Sequence, residues 1–178
     1  LELPDVLGVV EVENLLVLQM LADKITSDFS VAYSAYLEEG NDGGGIDVGY
    51  LVRNDRISNV IITQFDKNEM WLDPADGELD ELHDRPALKL EATFSGQAFA
   101  TIVIHPKSRS CVDQPSGANC TQADVDRNRL KRFTEASSMA NRVQQEQIAQ
   151  PNRPLLVIGD FNDYQFSDGF VNMTGLIQ

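Results

Sequence analysis

The amino-acid sequence predicts an α/β fold of stacked sheets flanked by helices, and its hydrophobic pattern supplies three reasons. The chain opens as a strand followed by a helix, carries several strand-like runs through its middle, and closes as a long helix followed by a strand. With 178 residues it is long enough for one domain with a sizeable core. Its apolar fraction of 42% and charged fraction of 24% are ordinary for a globular protein in water.

Taken in order, Val6-Leu7-Gly8-Val9-Val10-Glu11-Val12 is an apolar run that carries one charge near its carboxyl end, a buried strand bearing Glu11. Asn14 can cap a helix, and Leu15, Leu18, Leu21, Ala22 and Ile25 mark one face of an amphipathic helix directly after it. Residues 29–37 alternate as a strand, and Glu38 to Gly45 form a flexible turn. Its glycines lie at no strand-to-helix switch, so they are not a phosphate-binding fingerprint. Asp47–Arg53 is a further strand, which Asn54-Asp55 turns toward Val60-Ile61-Ile62. Residues 66–85 read as a solvated acidic loop around Trp71 without the ligand spacing of an EF-hand, weak calcium binding being the other reading. Leu88, Leu90, Ala92 and Phe94 alternate with Lys89, Glu91 and Thr93, a strand wet on one face, and Ser95-Gly96-Gln97 turns it into a partner that ends at Ile104. His105-Pro106-Lys107-Ser108 comes next. Leu130, Phe133, Ser137, Ala140, Val143 and Ile148 mark a long helix stopped by Pro151. Leu155, Leu156, Val157 and Ile158 then read as a strand buried on both faces, which presents Asp160, Asn162 and Asp163 beyond Gly159. Open α/β sheets keep their ligands at such carboxyl ends. Read singly, each of these polar residues is as well a cap, a turn or a structural histidine; three strand ends carrying Glu11, His105 and Asp160 are a pattern.

Charge and cysteines narrow the function classes. With 28 acidic and 14 basic residues the net charge is −14, which opposes broad electrostatic capture of nucleic acid or an anionic membrane. A bound divalent cation can invert that field locally. No apolar run is long enough to span a bilayer. Cys111 and Cys120 share one loop, which reads as a local disulfide of a secreted or periplasmic protein, stabilising the loop by about 2–3 kcal/mol; two free thiols of a cytosolic protein are the other reading. Two histidines without ligand spacing argue against a zinc site. Asn119-Cys120-Thr121 and Asn172-Met173-Thr174 fit the glycosylation sequon. The chain starts at Leu1 with neither an initiator Met nor a signal peptide, as expected of a fragment or a processed product.

Several stretches carry a family likeness. Gly8 to Asn14 resembles a strand ending in a metal-binding Glu, with Val10 at the usual Gln. Gly45-Ile46-Asp47-Val48-Gly49-Tyr50 resembles the strand pair before a central hairpin, and Arg85-Pro86-Ala87-Leu88 an Arg-Pro-led strand. His105-Pro106-Lys107-Ser108 is similar to a His-x-Lys-Ser motif, Gly159-Asp160-Phe161-Asn162 to a Gly-Asp-Phe-Asn signature, and Arg129 to the opening of an Arg-led helix. Together, over nearly the whole chain, they resemble the endonuclease/exonuclease/phosphatase superfamily with its deoxyribonuclease-I-like fold, and within it the bacterial extracellular nucleases.

The resemblance implies a four-layer αββα sandwich of two mixed sheets, with residues 1–178 as a single catalytic domain. It implies that Glu11 holds Mg2+ (or Mn2+ or Ca2+), that Asp160 orients or deprotonates the attacking water, and that Asn162 hydrogen-bonds a phosphate oxygen. His105 would donate to the scissile phosphate, and Lys107 and Arg85 would contact phosphate or substrate. The expected partner is nucleic acid or another phosphodiester. A phosphatase or phospholipase acting on inositol phosphate or sphingomyelin, and a binding module whose centre has decayed, are the alternatives. Two family elements are expected outside this chain: a first strand with a catalytic Asn and a terminal Ser-Asp-His segment, for which His83-Asp84 cannot stand in. A chain without them is expected to bind metal weakly and to cut phosphodiesters poorly.

Overall fold

The computed structural model describes residues 3–111, 120–164 and 177. Contacts divide the chain into two units, one made of Leu1–Lys67, Arg85–His105 and Asn152–Gly159, the other of Asn68–Asp84, Pro106–Pro151 and Asp160–Gln178.

The first unit stacks a helix on a sheet and that sheet on a second. β1 (Val6–Val12), β2 (Tyr33–Leu37) and β3 (Asp47–Arg53) form an antiparallel sheet in the order β1-β3-β2. β4 (Ile57–Gln64), β7 (Leu88–Phe94), β8 (Gln97–Ile104) and β9 (Leu155–Gly159) form a mixed sheet in that order, β9 running parallel to β8. The period-2 alternation of β3 explains the layering: Val48, Tyr50 and Val52 face Leu88, Leu90, Ala92 and Val103 in a core between the sheets. The Tyr50 hydroxyl is buried there 3.0 Å from the carbonyl oxygens of Leu88 and Thr101, and burial pushes its ionisation well above the usual range. On the other face of β3, Leu51 meets Leu18 and Ala22 of α1 (Leu15–Phe29). Gly49 permits that docking, because a Cβ there would sit 2.8 Å from the Tyr36 carbonyl oxygen and 2.9 Å from Leu18 Cδ2.

Three sequence expectations change here. Asn14 caps α1 as predicted, its side chain accepting from the Val17 amide at 2.9 Å, but Leu15 and Leu21 are exposed. The sheet below is narrow, and the buried stripe shrinks to Leu18 and Ala22 with Ile25 beside them. The charged face of β7 is only partly wet: Glu91 and Thr93 are half-buried, whereas Lys89 is buried, paired with Glu91 at 3.1 Å and lying 5.3 Å from the Phe65 ring centre. Arg153 pairs with the same Glu91. Finally, β9 is not buried on both faces, since Leu156 is 56% exposed; among the described residues β9 is an edge strand.

In the second unit the expected 66–85 loop holds a hairpin of β5 (Met70–Leu72) and β6 (Leu79–Glu81), with Trp71 opposite Asp80. Trp71 is buried, 5.8 Å from both the Arg127 guanidinium and the Lys131 ammonium, and Asp73 pairs with Arg127. α2 (Gln122–Ala149) is capped by Thr121 and Asp124 bonding reciprocally, so Arg129 lies inside the helix and does not open it. Its buried face is also not the expected one. Leu130, Phe133 and Ile148 are exposed, whereas Val125, Asn128, Lys131, Arg132, Glu135, Ala136, Met139 and Val143 are buried. Cys111 and Cys120 form the expected disulfide, with Cα atoms 5.5 Å apart. Asn119 and Asn172 of the two sequons lie outside the described residues. No described helix is long and apolar enough to cross a membrane.

Candidate functional site

Glu11 owes its direction to a bulge. Val9 pairs with Gly49 and Val12 with Asp47, so three steps on β1 match two on β3. The phase flips accordingly: Val10 packs into the core between the sheets, whereas Val12 packs on the α1 side. Glu11 absorbs the extra residue at φ 57°, a left-handed conformation costing a non-glycine residue about 1–2 kcal/mol. Just upstream, Gly8 lets β1 approach β8 and β9, since a Cβ would lie 2.6 Å from Ile158 Cδ1 and 3.4 Å from Val103 Cγ2. The Glu11 carboxylate thereby comes 3.8 Å from His105 Nε2, with its own side chain 65% exposed and that of His105 only 4%.

His105 directly follows β8. Its carbonyl accepts from Arg85 Nε at 2.9 Å, and Arg85 also reaches Asp42 at 3.2 Å. Arg85 is thus engaged by the chain's own atoms on two sides. Next to this end of the sheet, Asp47 is buried opposite Val12 and accepts the Gly40 amide at 2.7 Å. Burial pushes the Asp47 carboxyl up; the Gly40 bond works against that, while Glu39 and Asp42 add to it. Nothing in the sequence spacing marks Asp47.

Within the second unit, Asp160 Oδ1 accepts the Asn162 amide at 2.8 Å, and Asn162 takes φ 50°. This Asx turn aims the Asn162 side chain, whose Nδ2 donates to the Pro106 carbonyl at 2.9 Å. Asp163 is held by Arg109 at 3.1 Å, with Arg132 at 3.9 Å. Lys107 is gripped along its length: its amide donates to Glu135 at 2.8 Å, its carbonyl accepts from Arg132, and its ammonium lies 3.2 Å from Asp84. Lys131 sits 2.7 Å from the same carboxylate. Burial pushes the Asp84 carboxyl up, but the two lysines outweigh it and hold it below the usual range. His83 turns instead to Glu69, at 3.1 Å.

So the first unit brings Glu11 to His105, and the second joins Asn162 to Asp160 and to the residue after His105. Within the first unit β8 and β9 lie side by side with Ile104 opposite Gly159. Gly159 is required there: at φ 131° its Cβ would lie 2.0 Å from the Ile104 carbonyl oxygen. Asp84, Lys131, Arg132 and Glu135 carry no site signal in the sequence, because charged residues within a helix or an acidic segment read as solvated. Among the described residues no three His, Cys, Asp or Glu side chains gather as a metal-holding group. The exposed Glu11 carboxylate by itself suits a hard cation that keeps most of its water.

A family model described as Endonuclease/Exonuclease/phosphatase family matches residues 1–173. No curated protein matches the chain. Among solved structures, truncated TDP2 from Caenorhabditis elegans is similar at TM-score 0.53 and 19% identity, over 93% of this chain and 54% of that one. The human nocturnin catalytic domain with bound sulfate is similar at 0.57 and 16%, over 93% and 54%. A β-hairpin deletion mutant of β toxin from Staphylococcus aureus is similar at 0.59 and 15%, over 97% and 59%. The chain therefore spans a little over half the length of these structures, and the likeness fixes the fold as the predicted deoxyribonuclease-I-like α/β type.

Proposed function

Because the chain belongs to the endonuclease/exonuclease/phosphatase family, we propose that it is a divalent-metal-dependent phosphodiester hydrolase, an extracellular nuclease acting on DNA or RNA. The observation that carries the reading is the exposed Glu11 carboxylate, turned by a bulge onto the buried His105 imidazole at the end of a neighbouring strand. Bulges beside active sites re-aim side chains in this way. The Cys111–Cys120 bridge supports an oxidising compartment.

A phosphodiester is anionic and repels a nucleophilic oxygen, so its hydrolysis needs charge neutralisation, an oriented water and a controlled proton. Glu11 would hold the cation, Mg2+ or in its place Mn2+ or Ca2+, and the charge so held would offset that of the phosphate. His105 donates Nε2–H to a non-bridging oxygen of the phosphate. Asp160 takes the proton of the attacking water, and Asn162 directs its amide to a second phosphate oxygen. Lys107 contributes a fixed positive charge. We assign Arg85 to holding the His105 carbonyl, because that is where its Nε is bound.

The test is nicking of supercoiled plasmid with Mg2+ or Mn2+, alongside sphingomyelin and an inositol phosphate. Chelator-sensitive nicking that disappears in His105→Ala supports the nuclease; turnover confined to one of the other substrates reassigns the substrate class. Nicking that survives chelator or the His105 substitution contradicts the mechanism.

A further inference from the structure

The buried polar stripe of α2 is more elaborate than a packing face requires. Asn128, Lys131, Arg132 and Glu135 share one side of the helix, and each ends on the segment that follows β8 or on its partner Asp84. Asn128 Nδ2 donates to the Ser110 carbonyl at 2.8 Å and lies 3.2 Å from the Ser110 hydroxyl. Arg132 and Glu135 hold the carbonyl and amide of Lys107. Lys131 reaches Asp84, which in turn reaches the Lys107 ammonium.

The charge count at Asp84 is the informative part. One carboxylate needs one cation, and Lys131 supplies it at 2.7 Å with its side chain 7% exposed. Lys107 is the second cation, at 3.2 Å with 30% of its side chain exposed. Neutralising Asp84 therefore leaves one unit of positive charge over, and the more exposed lysine carries it. Had Lys107 been the sole partner, its charge would be cancelled within the fold.

We infer that Lys131 is a positioning residue which, by neutralising Asp84, keeps the Lys107 ammonium fixed yet electrostatically available to a phosphodiester anion. Arg132 and Glu135 serve the same end by fixing the Lys107 peptide groups. The inference rests on the proposed function only in taking a phosphodiester as the ligand.

The test uses dimethyl phosphate, a diester monoanion, bound in the presence of Mg2+ at low salt and followed at the Lys107 side-chain nitrogen by NMR. Four proteins are compared: the unsubstituted chain, Lys131→Met, Asp84→Asn and the double variant, with thermal melting run on each. Lys131→Met is expected to weaken binding about tenfold, as loss of one nearby unit charge should. The double variant is expected to return within about twofold of the unsubstituted chain, because removing both charges restores the excess, and Asp84→Asn alone should bind no more weakly. A purely structural role predicts something else: lower melting points with unchanged affinity, or no rescue in the double variant. Either result overturns the inference, as does an unsubstituted chain that fails to bind dimethyl phosphate through Lys107. Plasmid that stays intact even at high protein concentration and long incubation, while dimethyl phosphate binds as expected, would count against the nuclease reading and leave this inference standing.

Discussion

In the first unit Asp47 lies buried with Glu39 and Asp42 as charged neighbours, and its carboxyl is pushed up. In the second unit Asp73 is as deeply buried, yet Arg127 holds its carboxyl down against the cost of burial. Asp84 follows Asp73, with two lysines where Asp73 has an arginine. Burial alone thus does not decide the sign; the partner does. Both units tie their chains with ion pairs, Arg85–Asp42 and Lys89–Glu91–Arg153 in the first among them, but Asp47 faces the carboxylates of Glu39 and Asp42 where Asp73 and Asp84 face cations. A cation drawn to Glu11 would relieve that accumulation, and at Asp84 Lys107 is the cation that exceeds what the carboxylate needs.

Breaking the Asp73–Arg127 pair should have the largest effect. Arg127→Met leaves a buried carboxylate without its guanidinium and also strips one cation from the Trp71 ring. Allowing for the partial exposure of Arg127, about 2–3 kcal/mol of stability should be lost, measured by urea unfolding near neutral pH. A loss below about 0.5 kcal/mol would mean that the second unit does not depend on its pairs.

The opposite shifts give opposite pH dependences. Asp84 has a depressed carboxyl, so its contribution is present above the ordinary carboxylate range and fades as pH falls through the depressed value. Asp84→Asn should therefore be less stable than the unsubstituted chain at pH 7 and approach it in strong acid. Asp47 has a raised carboxyl, so its ionised form penalises the fold at pH 7, and the penalty is relieved as pH falls through the raised value. Asp47→Asn keeps an oxygen for the Gly40 amide and should melt a few degrees higher at pH 7, with the gain vanishing below the ordinary Asp range. Melting curves from pH 3 to pH 7 check both, and parallel slopes would erase the contrast between the units.

The smallest effect is expected at the surface of α2. Phe133→Ser, on the exposed side, should change stability by less than about 0.5 kcal/mol in the same unfolding assay. That substitution also probes why part of the molecule was not legible in the sequence. Strands were readable because apolar runs such as 155–158 and the alternation along β7 report a pleated surface, and the residues just beyond them could be named in advance. The face of α2 was misread because hydrophobic periodicity counts apolar residues, and here Lys131, Arg132 and Glu135 are buried while Leu130 and Phe133 are exposed. β5 and β6 were hidden for a similar reason, being three residues each in an acidic stretch and anchored by one tryptophan. Glu11 could be placed at a strand end, but its turn toward His105 depends on a one-residue bulge that no composition or spacing announces.

The chain contains only two histidines, His83 and His105, and this permits a direct test of the centre. Mg2+ should be titrated while the ring signals of both are followed by NMR, in the unsubstituted chain and in Glu11→Gln. The His105 signals should shift saturably and lose that response in Glu11→Gln, while His83, paired with Glu69, stays still in both. An unchanged His105 response in Glu11→Gln, or a response at His83 alone, would contradict the assignment of Glu11 and His105 to one cation-dependent centre.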